Sequence, residues 1–172
     1  MLYEDDAFET VEAQSLEFRI HQSDHQKRVE RFMRSAGQHV PDAPCIPGQA
    51  TCELRARLVL EEALEIVDGL GFEVVPNGDA DHVHMGGLTL RKVKEPDIVK
   101  VVDGCADTSV VSIGTLSAFG VKDEHVLREV DRSNTAKTEG GVVRDSTGKV
   151  QKPKGWLPPN ITRVLMEQGW EA

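Results

Sequence analysis

The chain has 172 residues, 39% of them hydrophobic, which suffices for one domain with a modest core and leaves no room for a second large domain. Twenty Lys and Arg residues against 29 Asp and Glu give a net charge of -9, which argues against non-specific nucleic-acid binding and means that an anionic ligand would need cations to mediate its binding. The acidic start of the chain does not resemble a signal peptide and no stretch is long and apolar enough for a membrane span, so we expect a soluble, cytoplasmic protein that does not bind membranes.

The three cysteines, Cys45, Cys52 and Cys105, are odd in number and have no C-x-x-C spacing. This pattern favours neither a disulfide framework nor a zinc ribbon, and it suits a reducing compartment. Cys105 lies in an apolar run, where a thiol usually acts as a small hydrophobic side chain. We therefore predict that Cys105 belongs to the core.

The first half of the chain predicts two helices joined by a loop. Apolar residues recur at roughly a helical period over residues 13–35, which predicts a helix with an interruption near Ser23. Three prolines within residues 39–49 predict the connecting loop. Strong helix formers then run over residues 53–70, and Thr51 is the expected N-cap of this second helix.

A small β element is predicted after the second helix. Two β-prone runs, at residues 72–75 and 88–93, flank a turn region and predict a short hairpin or flap. His82 and His84 alternate between these runs, and we favour a solvated flap over a metal site there.

Three further helices complete the predicted elements. Pro96 marks the start of a helix over residues 97–119, a second follows over 123–138, and Asn160 is the expected cap of a short final helix. The helix over 97–119 is expected to bury one stripe, formed by Val101, Val102, Cys105, Ala106, Val110 and Ile113. These elements predict an all-α fold.

Three carboxylates crowd one face of the helix predicted over residues 53–70. Glu61 and Glu65 are four residues apart and Glu62 and Glu65 three apart, which places each pair on adjoining parts of one face. Like charges at these spacings repel, and a bound divalent cation such as Mg²⁺ or Mn²⁺ would remove the repulsion. The same E-E-x-x-E pattern is also common on solvated helix surfaces.

Two further groups of polar residues complement the acidic helix. Asp103 and Asp107 lie one turn apart within VVDGCADTSVV, where a charged side chain is costly unless it is paired or metal-bound. Asn134 and Lys137 share a face of the helix over 123–138, with Arg132 nearby. The two cations are suited to hold phosphate oxygens.

Four segments in succession resemble the motifs of the phosphoribosyl-ATP pyrophosphohydrolase-like and MazG-like superfamily. They read LRARLVLEEALEI, EPDIVKVVDGCADTSVVSIGTLSAFG, LREVDRSNTAKTEGG and GKVQKPKGWLPPNI, and VERFMRSAGQHVPDAP precedes them in the place of the family's first helix and proline loop. The resemblance covers roughly residues 28–161 and implies a single MazG-like domain over 1–172, with its core at 28–161. It extends to phage members, including a branch called MazZ that acts on guanine nucleotides.

The resemblance implies an all-α fold built on a four-helix core, with the hairpin or flap as an insertion and an extended C-terminal segment. It implies a nucleoside triphosphate pyrophosphohydrolase that releases a nucleoside monophosphate and pyrophosphate. Mg²⁺ or Mn²⁺ is the implied cofactor, with two or more ions per site, and a homodimer or homotetramer is the implied assembly. Likeness to the phage branch favours dGTP or GTP as substrate and the cytoplasm of a host cell as the setting.

The resemblance also assigns roles to the acidic residues. The first family motif, E-x-x-E, matches Glu62 and Glu65 as metal ligands, and the preceding Glu61 matches a base or orienter for the attacking water. The second motif, E-x-x-D, matches Asp103, but Lys100 stands at the usual glutamate position. Either the metal set is rearranged, with Asp107 as the substitute ligand, or Lys100 contacts a phosphate.

The polar motif that follows in the family matches Asn134 and Lys137, with Arg132 beside them, and implies phosphate or sugar contacts. Trp156 lies in the matching K-P-x-G-W-x-P-P segment, where it either stacks on the base or, as we favour, anchors the tail to the core. Two alternative functions stay open: a catalytically inactive helical oligomer that binds nucleotides or a partner chain, and an acid–base hydrolase that needs no metal.

Overall fold

The computed structural model describes residues 21–78 and 85–171, and this part of the chain holds five α-helices and one two-stranded sheet. The helical prediction for residues 13–20 and the flap prediction for His82 and His84 lie outside the described residues. None of the five helices is long and apolar enough to cross a membrane. Their bounds, with those of the strands, are α1 Asp24–Ser35, α2 Gln49–Gly69, β1 Phe72–Pro76, β2 Leu88–Lys92, α3 Ile98–Ala118, α4 Asp123–Thr135 and α5 Ile161–Glu167.

The mostly helical architecture with one small hairpin is consistent with the predicted all-α fold, and the four-helix core stays a prediction. The starts of three helices follow from side chains that cap them. Ser23 Oγ accepts a hydrogen bond from Gln26 N at 3.0 Å, which explains why α1 begins only after Ser23. Asp97 caps α3 in the same way, because its carboxylate accepts hydrogen bonds from Val99 N and Lys100 N. The prediction of Thr51 as a cap is wrong, because α2 already begins at Gln49 and has no side-chain cap.

The described chain divides into two compact units. The first, here called the helical-pair unit, contains residues 29–41 and 45–120 and so holds the end of α1, α2, the hairpin and α3. The second, the C-terminal unit, contains residues 21–28, 42–44 and 121–171, with α4 and α5. The predicted carboxylates all belong to the helical-pair unit, whereas the C-terminal unit carries Arg132, Asn134, Lys137 and Trp156.

Two glycines allow α2 and α3 to pack closely as an antiparallel pair. A Cβ atom added to Gly104 of α3 would lie 2.9 Å from Ile66 Cγ1 of α2, and one added to Gly69 would lie 3.1 Å from Val101 N. Real side chains do not tolerate the first of these distances without a shift of the neighbouring atoms. Glycine at these positions therefore brings the second half of α2 against the first half of α3.

The hydrophobic core of the helical-pair unit lies toward the other end of α3. It is formed by a cluster of buried side chains from the end of α1, the following loop and the last turns of α3. Its members are Val29, Met33, Val40, Ile113 and Ala118. The acidic residues are therefore separated from the core along the length of α3.

The hairpin returns the chain from the end of α2 to the start of α3. Phe72 of β1 pairs with Lys92 of β2, and Pro76 pairs with Leu88. Gly71 precedes β1 at a φ of +89°, and a Cβ atom there would lie 2.3 Å from Lys94 O, so both the conformation and the contact require glycine.

The stripe predicted to be buried on α3 is wrong in its first half. Ile113 is buried, but Val102, Cys105 and Ala106 are exposed, and so are Asp103 and Asp107. The face of α3 that packs against α2 is instead the one that contains Gly104, because only glycine permits this close approach to Ile66 of α2. This contact face is rotated by about one residue from the predicted apolar stripe. Cys105 is exposed among the described residues, so the prediction that Cys105 belongs to the core is wrong.

In the C-terminal unit, a buried carboxylate joins α4 to α5. Glu129 accepts hydrogen bonds from Arg132 at 2.7 and 3.0 Å, from Asn160 N at 2.7 Å and from Arg163 at 3.1 Å. Arg132 and the Asn160 amide, by donating these hydrogen bonds, lower the pKa of Glu129 to about 2, and the charges of Arg132 and Arg163 act in the same direction. Asn160 also caps α5 as predicted, accepting from Arg163 N at 3.0 Å.

Candidate active site

The acidic face of α2 lines a cavity of about 610 Å³ in the helical-pair unit. Glu61, Glu65 and Asp68 come from α2, on successive turns, because residues three or four apart share one helix face. Lys100 and Asp103 line the opposite side from the first turns of α3. The structure therefore brings residues of the two acidic motifs to one cavity, which we call the acidic cavity.

Close helix packing explains why the two motifs meet. Gly104 of α3 lies against Ile66 of α2, so the neighbouring residues Asp103 and Glu65 are carried to the same place. Gly69 lies against the backbone of Lys100 and Val101 one turn further on. The positions of the carboxylates therefore depend on two features of the sequence. Their spacing puts them on one face of each helix, and Gly69 and Gly104 let the two helices approach closely.

Glu62 is a predicted metal ligand with a perturbed pKa, and it lies on α2 next to Glu61 without itself lining the acidic cavity. It is half-buried, and burial raises its pKa above the ordinary value because the charged form loses hydration. The negative charges of Glu65, Asp107, Glu61 and Asp103, in decreasing order, raise the pKa of Glu62 further. The four other predicted acidic residues are thus close enough to act on Glu62, and no cation of the described chain offsets their charges there.

The donor chemistry of this group suits a hard divalent cation. Carboxylate oxygens are the ligands that Mg²⁺ and Mn²⁺ prefer, and a positive ion would relieve the repulsion that Glu62 experiences. Within residues 21–78 and 85–171, however, no three Asp, Glu, His or Cys side chains converge tightly enough to form a preassembled metal site. The residues therefore fit a metal in type and placement, and their side chains would have to turn toward it.

Lys100 lies in the acidic cavity, but its nearest carboxylate is Asp68 rather than a predicted ligand. The distance from Lys100 Nζ to Asp68 Oδ2 is 3.6 Å, which is longer than a hydrogen bond. Lys94 Nζ instead donates to both Asp68 oxygens, at 2.6 and 2.7 Å. The Lys94 hydrogen bonds act first in lowering the pKa of Asp68, and Lys100 lowers it further through its charge and its contact with the carboxylate. The ammonium group of Lys100 has three donors, so this one long contact leaves others for a further acceptor.

Asn134 and Lys137 meet in the C-terminal unit as their spacing predicts. Lys137 Nζ donates to Asn134 Oδ1 at 2.8 Å. Lys137 and Lys152 both lie over the indole ring of Trp156, at 5.3 and 4.4 Å from its centroid. Trp156 Nε1 donates to Ser133 O at 2.7 Å, which pins the segment to α4. These contacts support the interpretation of Trp156 as an anchor.

Arg132 has a structural partner, since its guanidinium forms a two-point hydrogen bond with Glu129. The same contact raises the pKa of Arg132 and fixes its side chain on Glu129, the carboxylate that joins α4 to α5. Its predicted role in phosphate binding would require this pairing to be shared or broken.

The sequence profile of the phosphoribosyl-ATP pyrophosphohydrolase family matches residues 27–134, which is more than half of the chain. The chain belongs to this family. The match spans all five predicted acidic residues as well as Lys100, Arg132 and Asn134, and so it covers the whole acidic cavity. A search of curated proteins found no significant match.

Membership of the phosphoribosyl-ATP pyrophosphohydrolase family places the protein among enzymes that hydrolyse nucleotide pyrophosphate bonds. It confirms the resemblance to the family, on a range that contains the first two motifs and the beginning of the third. The matched range ends at residue 134, so Lys137 and Trp156, which the resemblance included, lie beyond it.

Sequence reasoning missed two residues of the acidic cavity and its border. Asp68 lines the cavity and follows Glu65 by three residues, a spacing that would have placed it on the same face. Lys94 lies at the end of the hairpin, so no local spacing connects it to Asp68. Only the return of the hairpin to the end of α2 brings the two together.

Proposed function

We propose that the protein hydrolyses a nucleoside triphosphate between its α and β phosphates and releases a nucleoside monophosphate and pyrophosphate. The observation that carries this proposal is the crowding of four carboxylates around the half-buried Glu62, on the two facing helices that carry both acidic motifs. Membership of a pyrophosphohydrolase family supplies the reaction class.

Mg²⁺ or Mn²⁺ is the proposed cofactor, with two or more ions per site. Glu62, Glu65 and Asp103 would hold it, and Asp107, whose charge also reaches Glu62, is the substitute ligand. When bound, such an ion neutralises phosphate charge and makes a coordinated water more acidic. The net charge of -9 is consistent with this arrangement, because the protein needs cations to accept a polyanion.

The side chains of the acidic cavity divide into two proposed roles. Glu61 accepts a proton from the attacking water, since it lines the cavity beside Glu65 and is the carboxylate that the metal set does not require. Lys100 donates to a phosphate oxygen, because its ammonium group faces the cavity without a short hydrogen bond. Asn134, Lys137 and, after release from Glu129, Arg132 are proposed as additional phosphate or sugar contacts.

Guanine nucleotides, dGTP and GTP, are the proposed substrates to test first. This choice follows the resemblance to the phage MazZ branch, and the setting would then be the cytoplasm of a host cell. Neither nucleic acid nor a membrane is a proposed partner.

A homodimer or homotetramer is the proposed assembly. Large apolar side chains on the outer faces of α2 and α3 are exposed in the single chain, which is unusual for a stable monomer surface. Ile98 is 76% exposed and Val99 73%, and Val102, Leu60 and Leu64 are also exposed on the same two helices.

Release of pyrophosphate from a panel of nucleoside triphosphates, measured with added Mg²⁺ and again after chelation by EDTA, tests the proposal. We expect turnover with Mg²⁺ or Mn²⁺ and its loss with EDTA, and dGTP or GTP should be the best substrate. Turnover that survives EDTA would favour the metal-free acid–base hydrolase. A metal-dependent rise in melting temperature without hydrolysis of any triphosphate would favour the inactive nucleotide-binding oligomer.

A further inference from the structure

Two lysines meet one carboxylate at the end of the acidic cavity that borders the hairpin. Lys94 Nζ donates to both oxygens of Asp68, at 2.6 and 2.7 Å, and Lys100 Nζ lies 3.6 Å from Asp68 Oδ2. Lys100 and Asp68 line the cavity, and Lys94 lies at its border. This end of an otherwise acidic cavity therefore has an excess of positive charge. We call Lys94 and Lys100 the lysine pair.

The backbone of the lysine pair is held against the end of α2. Gly71 O accepts a hydrogen bond from Lys94 N at 3.3 Å, and the close contact of Gly71 with Lys94 O leaves no room for a side chain. Gly69 O accepts from Asp97 N at 2.8 Å, and Asp97 caps the helix that carries Lys100. The side chains of the lysine pair are 39% and 58% exposed, so their ammonium groups are accessible to a ligand.

The charge changes sign along the acidic cavity. Gly104 packs against Ile66, which brings Asp103 beside Glu65, whereas Gly69 packs against Lys100 one turn further on. The carboxylates therefore lie at one end and the lysine pair at the other. Three residues separate Glu65 from Asp68, which corresponds to about 4.5 Å along the helix axis. Neighbouring phosphate groups of one chain can span this distance.

The electrostatic effects on two carboxylates of α2 agree with this geometry. The pKa of Glu62 is raised by burial and by the surrounding carboxylates, and no lysine acts on it. The pKa of Asp68 is lowered, first by its hydrogen bonds from Lys94 and then by the charges of the lysine pair. An anion therefore meets repulsion near Glu62 and attraction near Asp68.

The lysine pair has donors to spare. An ammonium group carries three N–H donors; Lys94 uses two of them on Asp68, and the contact of Lys100 is longer than a hydrogen bond. A structural link between the hairpin and α2 would need one lysine, so the second charge has no structural purpose at this carboxylate. Two ammonium groups side by side suit a ligand with several charged oxygens, such as a diphosphate.

The proposed hydrolysis creates such a group. Water adds its hydroxyl to the α-phosphorus, and its proton passes to Glu61. The bond from the α-phosphorus to the oxygen that bridges it to the β-phosphorus breaks, and that oxygen keeps the electron pair. Negative charge therefore develops on the departing pyrophosphate, where fixed positive charges stabilise it.

We infer that the lysine pair binds the two phosphates that leave as pyrophosphate, and that Asp68 is the counter-ion from which they displace Lys94. This inference rests on the proposed function, since it divides a triphosphate between the two ends of the acidic cavity. The α-phosphate then lies near Glu65 and Asp103, and the terminal phosphates lie at the end of α2. Lys94 becomes a substrate-binding residue that belongs to none of the acidic motifs.

Titration calorimetry with inorganic pyrophosphate, with added Mg²⁺ and again without metal, tests the inference. Lys94→Met should weaken binding roughly ten-fold or more, because it removes a charge-assisted hydrogen bond and leaves Asp68 to pair with Lys100. Binding of GMP, which has only the α-phosphate, should not change. Lys92→Met is the matched control and should keep the wild-type affinity, because Lys92 lies on the same hairpin and pairs with Glu95.

Asp68→Asn distinguishes a ligand site from a structural ion pair. It breaks the same pair as Lys94→Met but removes the negative charge instead of the positive one. Pyrophosphate then no longer has to displace the carboxylate, so binding should become tighter by roughly two- to five-fold, which corresponds to the strength of an exposed ion pair. A purely structural pair would make both variants change binding in the same direction. Glu95→Gln is the matched control and should bind as the wild-type protein does.

Thermal melting establishes that each variant is folded, and tighter binding by Asp68→Asn cannot result from unfolding. The inference would be overturned by a wild-type protein that binds no pyrophosphate in either condition, by unchanged binding in Lys94→Met, or by weaker binding in both Lys94→Met and Asp68→Asn. The titration requires no hydrolysis. Triphosphate hydrolysis without lysine-dependent pyrophosphate binding would therefore contradict this inference alone, and lysine-dependent binding without hydrolysis would contradict the proposed function alone.

Discussion

Lys100 stands where the resemblance to the family's second acidic motif predicts a glutamate, and its surroundings favour one of the two roles that the sequence left open. Asp68 already receives two hydrogen bonds from Lys94, so its contact with Lys100 at 3.6 Å is loose. An ammonium group with unused donors at the edge of a cavity is available to a phosphate. A rearranged metal set would instead leave Lys100 without a function in the reaction.

Replacing Lys100 by methionine should therefore weaken substrate binding and leave metal binding intact. A charge-assisted hydrogen bond contributes about 1.5–3 kcal/mol, so we expect KM for the triphosphate to rise roughly ten-fold or more. The affinity for Mn²⁺, measured by electron paramagnetic resonance, should not change. Lys92→Met is the control, because Lys92 pairs with Glu95 on the hairpin. An unchanged KM together with altered Mn²⁺ binding would show that Lys100 acts on the metal set.

Residue spacing predicted the positions of some of the side chains discussed above and gave no indication of others. Glu61, Glu62 and Glu65 could be found because their spacing puts them on adjoining parts of one helix face, and the resemblance to the family motif distinguished this pattern from an ordinary solvated helix surface. A lysine such as Lys94 forms no pattern with Asp68, since 26 residues separate the two along the chain. Their meeting follows from the return of the hairpin at Gly71, which is a tertiary contact.

At the scale of elements, periodicity predicted the helices and the hairpin but not which face of α3 would be covered. An apolar stripe indicates that one face of a helix is buried, but it does not show which element or partner chain covers that face. The face of α3 toward α2 is decided by Gly69 and Gly104, whose missing side chains permit contact. Val102 and Cys105 consequently stay exposed in the single chain.

Because Glu129 attaches α5 to α4, the free energy of unfolding should decrease at acidic pH, where this carboxylate becomes protonated. Because the pKa of Glu129 is about 2 in the folded protein and 4.5 ordinarily, its stabilising effect is complete above pH 4.5 and is lost as the pH falls toward 2. Glu129→Gln should be less stable than the wild-type protein at pH 7 in urea unfolding, and the difference should shrink by pH 3.

Glu124→Gln is the control for that experiment, because Glu124 forms an exposed pair with Arg128 on the same helix. It should follow the pH dependence of the wild-type protein closely. A Glu129→Gln variant that is as stable as the wild-type protein at pH 7 would mean that this carboxylate does not hold α5 in place.

At the scale of the whole molecule, the exposed apolar side chains of α2 and α3 predict self-association. Sedimentation equilibrium should give twice or four times the chain mass of 18.9 kDa. Val102→Glu, which places a charge in the exposed apolar row, should shift the protein toward the monomer. A wild-type protein that sediments as a monomer at micromolar concentration would contradict the proposed assembly.

The central claim is that the carboxylates around Glu62 hydrolyse a nucleoside triphosphate to pyrophosphate with a divalent cation, and one comparison tests it most directly. The rate of pyrophosphate release in the presence of Mg²⁺ should fall at least about a hundred-fold in Glu62→Gln, because loss of a metal ligand removes several kcal/mol of stabilisation. Glu53→Gln, an exposed position on the same helix, should keep the wild-type rate. Equal rates in Glu62→Gln and the wild-type protein would contradict the account.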